Sequence, residues 1–411
     1  MKVQVALIAV LCSTAFSYKT YDGYHVLKTK PLAQEDVRKF DPILKDPTFD
    51  IWTSFRLGEP VEIMVPEANV TSLMGKLLRD GLEPTITIHD MGPIIAKERM
   101  EIKSMRKTEA LNGKAPSFDR FLDIDEINAY LDSVVADYPA LASIIEIGNS
   151  FEGRPLRVLK LSNGPGKSGL FMESVIHARE WIGPPVLLYA INELTENLAN
   201  NQAVLDANDF YFLPVANPDG YSYTWTNERL WRKTRKPNPG STCVGTDPNR
   251  NFDWAWGGGG PHDACEATFP GAAAFSEPEM QAYADFLTNN PSINMVISVH
   301  SYGQMLLYSW GDTTAPPPNV AILDSVATEA IAALTAVAGT TYDIGSISNV
   351  IYLAYGGTID WVLGVLDKQA YAFELPGGGL AGFNPPPSLI VPVATETWEA
   401  IKVFAQNIPP L

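Results

Sequence analysis

Only one of the chain's five histidines heads an H-x-x-E pattern, His177-Ala178-Arg179-Glu180. It directly follows the apolar run Leu170 to Ile176. The end of a strand followed by a turn is where open α/β sheets place ligand sites. Three residues of spacing there can aim both side chains at one point. Imidazole and carboxylate suit zinc, and a pair of them needs a third ligand from elsewhere. His300 is the candidate, at the end of a second apolar run, Met295 to Val299. Two histidines and one glutamate leave a coordination position for water, the pattern of a catalytic zinc. Taken alone, H-x-x-E also occurs as a chance surface pair, so the surrounding sequence must decide.

Such residues need a sheet to hold them. From about Phe118, strand-like runs (Ser143 to Ile147, Arg157 to Leu161, Gly169 to Ser174, Asp209 to Leu213, Met295 to Val299, Ala370 to Glu374) alternate with helix-like ones. The helical runs include Ile124 to Asp137, Pro184 to Glu196, Glu277 to Thr288 and Ala321 to Thr335. This alternation predicts an α/β fold, a sheet with helices on both faces. Ahead of it, residues 18–107 read as a separate small α/β sandwich. Its strands are His25 to Lys30, Val61 to Val65 and Thr85 to His89, and its helices Gln34 to Leu44 and Glu67 to Asp80. A charged stretch, Lys97 to Lys107, joins the two as a helical connector or an exposed linker, and Arg106-Lys107 offers a trypsin-like protease a dibasic site.

The first 17 residues read as a secretory signal: Lys2, the apolar run Val3 to Leu11, then Ala15-Phe16-Ser17 before the cut. No later stretch is expected to span a membrane. Of three cysteines, Cys12 leaves with the signal, and Cys243 and Cys265 are expected to pair in an oxidising compartment. A signal, a small unit, a basic linker and a large unit together predict a secreted, extracellular zymogen: 1–17 signal, 18–107 pro-region, 108–411 catalytic domain. Lys114 is a third candidate for the activation cut, and Asn69-Val70-Thr71 is a glycosylation sequon. With 47 acidic against 30 basic residues, the net charge of −17 argues against a nucleic-acid partner. Hydrophobic residues at 46% and charged residues at 19% exclude an intrinsically disordered chain.

Several multi-residue words then resemble the zinc carboxypeptidases of the A/B type. They are His177-Ala178-Arg179-Glu180-Trp181-Ile182, Asn217-Pro218-Asp219-Gly220-Tyr221, Arg229-Leu230-Trp231-Arg232-Lys233-Thr234-Arg235, Asp247-Pro248-Asn249-Arg250-Asn251-Phe252-Asp253, His300-Ser301-Tyr302 and Phe373-Glu374-Leu375. Their order and separations fit as well, and the N-terminal unit is similar to that family's inhibitory pro-domain. The resemblance implies a mixed central sheet and one zinc held by His177, Glu180 and His300, with Asp247 orienting the first histidine. It implies Glu374 as general base and Arg232 as the arginine that steadies the oxyanion. Asn249 and Arg250 match the clamp on the substrate's terminal carboxylate, and Tyr352 the tyrosine that closes over it. Arg179 and Tyr302, with Phe383, match subsites further back along the peptide. The implied partners are peptides or proteins with a free C-terminus and a trypsin-like activating protease, and a monomer is expected.

Specificity is implied by one segment. Ile351-Tyr352-Leu353-Ala354-Tyr355-Gly356-Gly357-Thr358-Ile359-Asp360-Trp361 aligns with the family's pocket segment and places Ile359 at the floor, where B-type enzymes carry an aspartate. Ile347, Ile351, Ala354, Leu307 and Ala372 should complete an apolar wall, so release of aliphatic or aromatic C-terminal residues is expected. Two departures stand out. Pro376-Gly377 replaces an Arg-Asp pair common in the family, and Ala372 replaces a hydroxyl residue of the A-type pocket. The competing reading, a catalytically dead relative that binds peptides or inhibitors, conflicts with the presence of every ligand, the base and both arginines. Gly377 to Gly382 fits G-x-G-x-x-G, but Asn384-Pro385-Pro386-Pro387 follows where a dinucleotide-binding helix would start.

Overall fold

The computed structural model describes residues 18–53, 55–112, 118–260 and 263–411. The signal segment 1–17 and Lys114 lie outside the described residues.

Two sheets carry the architecture. The smaller is built from β1 (Tyr24–Pro31), β2 (Asp50–Ile51), β3 (Pro60–Pro66) and β4 (Thr85–Ile88), in the antiparallel order β2-β3-β1-β4. Side chains alternate across a strand, and here the alternation divides two jobs. Leu27, Ile63 and Val65 face inward and pack with Leu73 and Leu77 of the helix Glu67–Arg79. Val26, Met64 and Ile88 face the other way, onto Leu230 and Phe383 of the large unit. Asn69 lies within that helix rather than in a loop.

The larger sheet contains β5 (Ala142–Asn149), β6 (Pro155–Leu161), β7 (Ser168–Ser174), β8 (Asn208–Leu213), β9 (Ile293–Ser301), β10 (Met305–Tyr308), β11 (Asp343–Ser346) and β12 (Gln369–Leu375). Their order is β11-β10-β12-β9-β7-β8-β6-β5. The central strands β8, β7, β9 and β12 run parallel, and antiparallel pairings of β6 with β8, β5 with β6 and β10 with β12 make the sheet mixed. The central strands are near-continuous apolar runs because both faces are covered. Phe171, Val296 and Ala370 pack beneath the helices Pro278–Asn289 and Thr358–Leu366. Leu170, Met172, Met295, Ile297 and Phe373 pack beneath Gly183–Glu193, Val320–Ala338 and Ile390–Gln406 on the opposite face.

Of the two readings of the connector, the helical one is observed: Gly92–Asn112 is one continuous helix. Arg106, half of the dibasic site, is held by Asp123 at 2.7 Å and Glu126 at 2.5 Å. The helix Val320–Ala338 has the length and apolarity to cross a membrane, contrary to expectation. Its Leu323, Val326, Ala327, Ala330 and Leu334 form one buried face against the sheet and the helix Ile390–Gln406, while most of its remaining surface is exposed.

Candidate active site

The sheet register builds the site. Glu374 of β12 lies opposite His300 of β9, and Met305 of β10 lies opposite Glu374. One row below, Leu307, Ala372 and Ser298 are aligned across β10, β12 and β9. Residues two apart share a face, so the chemical row and the apolar wall rise from one side of the sheet. His177 follows the end of β7, and the tight turn after it returns Glu180 to the same point, with the Glu180 N–H donating to the His177 carbonyl at 3.2 Å.

His177, Glu180 and His300 converge, with their ligating atoms all within 4.8 Å of one another. His177 Nδ1 lies 2.9 Å from Glu180 Oε1, and His300 Nδ1 lies 3.1 Å from both Glu180 Oε2 and His177 Nδ1. Two imidazole nitrogens facing one carboxylate, all three residues buried, form a donor set that fits one zinc ion. Asp247 Oδ1 holds His177 Nε2 at 3.1 Å and fixes its tautomer. Burial works against the Asp247 charge, but Arg232, His177 and Arg250 outweigh it and hold the carboxyl well below the usual range. Arg232 Nη2 donates to Asp247 Oδ2 at 2.8 Å and approaches Glu180 through Nη1 at 4.0 Å. Glu374 faces the same cavity. Burial pushes its carboxyl up to about 8; His300, Arg232 and Arg250 pull down while Glu180 pushes further up.

Beside this cluster, Asn249 Oδ1 accepts from the Thr358 N–H at 2.9 Å and its hydroxyl at 3.0 Å. That contact ties the carboxylate-clamp candidates to the start of the pocket helix. Arg250 Nη2 donates to the Tyr352 hydroxyl at 2.9 Å. Gly356, at φ +69°, is required here, because a Cβ would come within 2.2 Å of the Arg250 carbonyl oxygen. Leu307, Ile347, Ile351, Ala354, Ile359 and Ala372 line one cavity of about 100 Å³ together with the three ligands, and Ile359 is only 3% exposed. Glu374, Arg232, Asn249, Arg250, Tyr352, Tyr302 and Phe383 line the same cavity, Asp247 lies behind it on His177 and Arg232, and Arg179 lines the neighbouring cleft.

Several residues of the same cavity escaped the sequence reading, Asp360 and Trp52 among them. Asp360 lies beside Ile359, where its Oδ2 accepts from the Gly311 N–H at 2.8 Å and burial pushes its carboxyl up to about 7. Trp52 comes from the N-terminal unit and packs edge-on against Phe383 at 5.8 Å. Around it the N-terminal unit occupies all three outer-subsite candidates. Asp50 takes Arg179 through two contacts of 2.7 and 2.9 Å, and Glu62 accepts from the Tyr302 hydroxyl at 2.7 Å. The departure at Gly377 has a local reason, since a Cβ there would lie 2.8 Å from the Tyr302 ring. Cys243 and Cys265 are disulfide-bonded.

Comparison with known proteins agrees with this geometry. Residues 127–400 match the family model described as zinc carboxypeptidase, and residues 27–98 that of the carboxypeptidase activation peptide. The chain belongs to the zinc carboxypeptidases. Among similar proteins, carboxypeptidase A1 of Rattus norvegicus is 36% identical over 98% of both chains. Carboxypeptidase B of Astacus astacus is 45% identical over 70% of this chain and 96% of its own. The crystal structure of the carboxypeptidase A from Helicoverpa armigera superposes with a TM-score of 0.86 at 30% identity, covering 94% of this chain and 98% of that one. This carboxypeptidase is therefore a metal-dependent hydrolase with an activation peptide, and its His177, Glu180 and His300 cluster fits the family's zinc.

Proposed function

We propose that this carboxypeptidase is secreted as a proenzyme and releases aliphatic and aromatic residues from peptide C-termini. The observation that carries the specificity is the buried Ile359, which shares the cavity with the aliphatic Leu307, Ile347, Ile351, Ala354 and Ala372. A Lys or Arg side chain would lose its hydration there, and the carboxyl beside that floor, Asp360, already accepts from the Gly311 N–H and is pushed up to about 7 by burial, so it is a poor counter-ion. Secretion is supported by the leader-like first 17 residues and the disulfide. The Astacus relative's name points to a different C-terminal preference, which the Ile359 floor disfavours in this chain.

In this reading, Arg250 and the amide of Asn249 grip the substrate's terminal carboxylate, Arg250 with a planar fork. Tyr352 leaves Arg250 to make way and closes over the bound residue. Zinc, when bound, supplies a Lewis acid and acidifies water to a pKa near ~7. Glu374 takes the proton from the attacking water and returns it to the leaving amine. Arg232 donates to the oxygen of the scissile carbonyl as charge develops on it, an interaction of a kind worth about 10²–10³ in rate. The deciding experiment is release of C-terminal Phe, Leu, Lys and Glu from matched peptides by the trypsin-treated protein, with a chelator control. Chelator-sensitive release of Phe and Leu, but not Lys, is the expected result. No release by a cleaved, zinc-loaded protein would favour the inactive binding relative.

The N-terminal unit blocks the cleft in this proposal, through Trp52 over the cavity and Asp50 and Glu62 on Arg179 and Tyr302. The uncleaved chain should therefore be nearly inactive on large peptides. Asp50→Ala, which removes the carboxylate held by Arg179, should raise uncleaved activity on small substrates several-fold without changing the activated enzyme. Equal activity of the two uncleaved forms would remove Asp50 from the inhibitory contact. Cleavage at Arg106-Lys107 requires the last turns of Gly92–Asn112 to unwind and Arg106 to leave Asp123 and Glu126.

A further inference from the structure

Both zinc-facing imidazoles turn Nδ1 inward, so each needs a partner for its outward nitrogen. His177 has Asp247. The partner of His300 has no place in the mechanism above. His300 Nε2 lies 2.8 Å from Ser298 Oγ, and the Ser298 hydroxyl donates to Glu173 Oε1. The register makes this contact: Glu173 on β7 is directly opposite Ser298 on β9, and His300 lies two residues further along the same face. Glu173 is fully buried, and its second oxygen has no hydrogen-bond partner. A carboxyl placed so deep on an apolar sheet face costs stability unless it serves something.

We propose that Ser298 and Glu173 are positioning residues for the ligand His300, forming a serine-bridged counterpart to the direct Asp247–His177 contact. An imidazole that offers its Nδ1 lone pair to a cation carries its proton on Nε2, which must be donated. The Ser298 oxygen accepts it only while its own proton points elsewhere, and Glu173 takes that proton. The chain therefore runs one way, from His300 through Ser298 to Glu173, and fixes both the tautomer and the ring angle. The nearby Asn249 Nδ2, at 3.5 Å, is itself a donor and cannot replace the serine oxygen. Partners of this kind typically account for about 10–100-fold in metal affinity.

The test uses the full-length protein and zinc alone. Affinity is read by competition with a chelating dye, and melting temperature is read with and without the metal. Ser298→Ala should weaken zinc binding about 10–100-fold, Glu173→Gln should weaken it in the same direction, and Ser298→Thr, which keeps the hydroxyl, should restore most of it. The zinc-dependent rise in Tm should shrink in step. A merely structural role would lower both melting temperatures alike and leave the affinity unchanged, which overturns the proposal. Because the inference rests on zinc at His177, Glu180 and His300, stoichiometric binding by the wild type is the control for that reading, and its absence there is a separate failure. If neither Ser298→Ala nor Glu173→Gln folds, the zinc-loaded wild type decides by NMR. A His300 Nε2 proton protected from exchange is expected, and one that exchanges freely refutes the relay.

Discussion

Glu374→Gln should lower kcat by about 10²–10⁴-fold, the range for loss of a positioned proton shuttle, while the protein still holds one zinc per chain. The amide has nearly the carboxylate's shape, so the row of Glu374, His300 and Met305 should remain packed. It lacks a site for the water's proton. The pH dependence gives a second, independent reading. A general base acts deprotonated, so activity is lost as pH falls through its pKa. Burial pushes the Glu374 carboxyl up to about 8 before any cation is added. A zinc ion beside it favours the charged form and lowers that value. The wild-type kcat/KM should therefore rise with pH to a plateau along a limb centred below 8, and Glu374→Gln should flatten that limb. Near-normal turnover in the variant, with zinc bound, would remove Glu374 from its role.

The difference between what the sequence discloses and what it hides follows from how local each feature is. His177 and Glu180 share one turn, and Arg232, Asn249, Arg250 and Glu374 each lie in compact words whose spacing survives in one dimension. The long strands of the large sheet are legible for a related reason: covered on both faces, they become continuous apolar runs. The short β10 and β11 have four residues each, too few to establish a period. The helix Ile390–Gln406 is masked by Pro392, yet that proline lies in the first turn, where its missing N–H breaks no helical bond. The contacts of Asp50, Trp52 and Glu62 with the cleft join segments more than a hundred residues apart. No window of sequence contains both partners. Ser298 and Glu173 were hidden differently, as two polar residues in apolar strands whose partnership depends on the pairing of β7 with β9. Asp360 lies in the pocket segment with its neighbour, yet no spacing in that segment discloses that it lines the same cavity.

That neighbour is where the second large effect is expected. Ile359→Asp should raise the ratio of Lys to Phe release, measured as kcat/KM on matched peptides, by at least about 10²-fold, which corresponds to ~3 kcal/mol. The wild-type floor offers a cationic head only the Asp360 carboxyl, which burial holds against ionising, and a buried charge left without its partner costs about 3–5 kcal/mol. An introduced carboxylate removes that cost for Lys and adds an unpaired group facing Phe. Asp360 shapes the outcome further. Its own carboxyl, pushed up to about 7 by burial, shows that an anion is poorly supported in this corner. A second carboxyl beside it should be held partly neutral until a lysine enters, because like charges raise each other's pKa. The gain for Lys should accordingly be largest at alkaline pH and shrink as pH falls and the introduced group protonates. Retention of Phe preference with no gain for Lys at any pH would mean that Ile359 is not the floor, and that the pocket's register must be redrawn from Asp360.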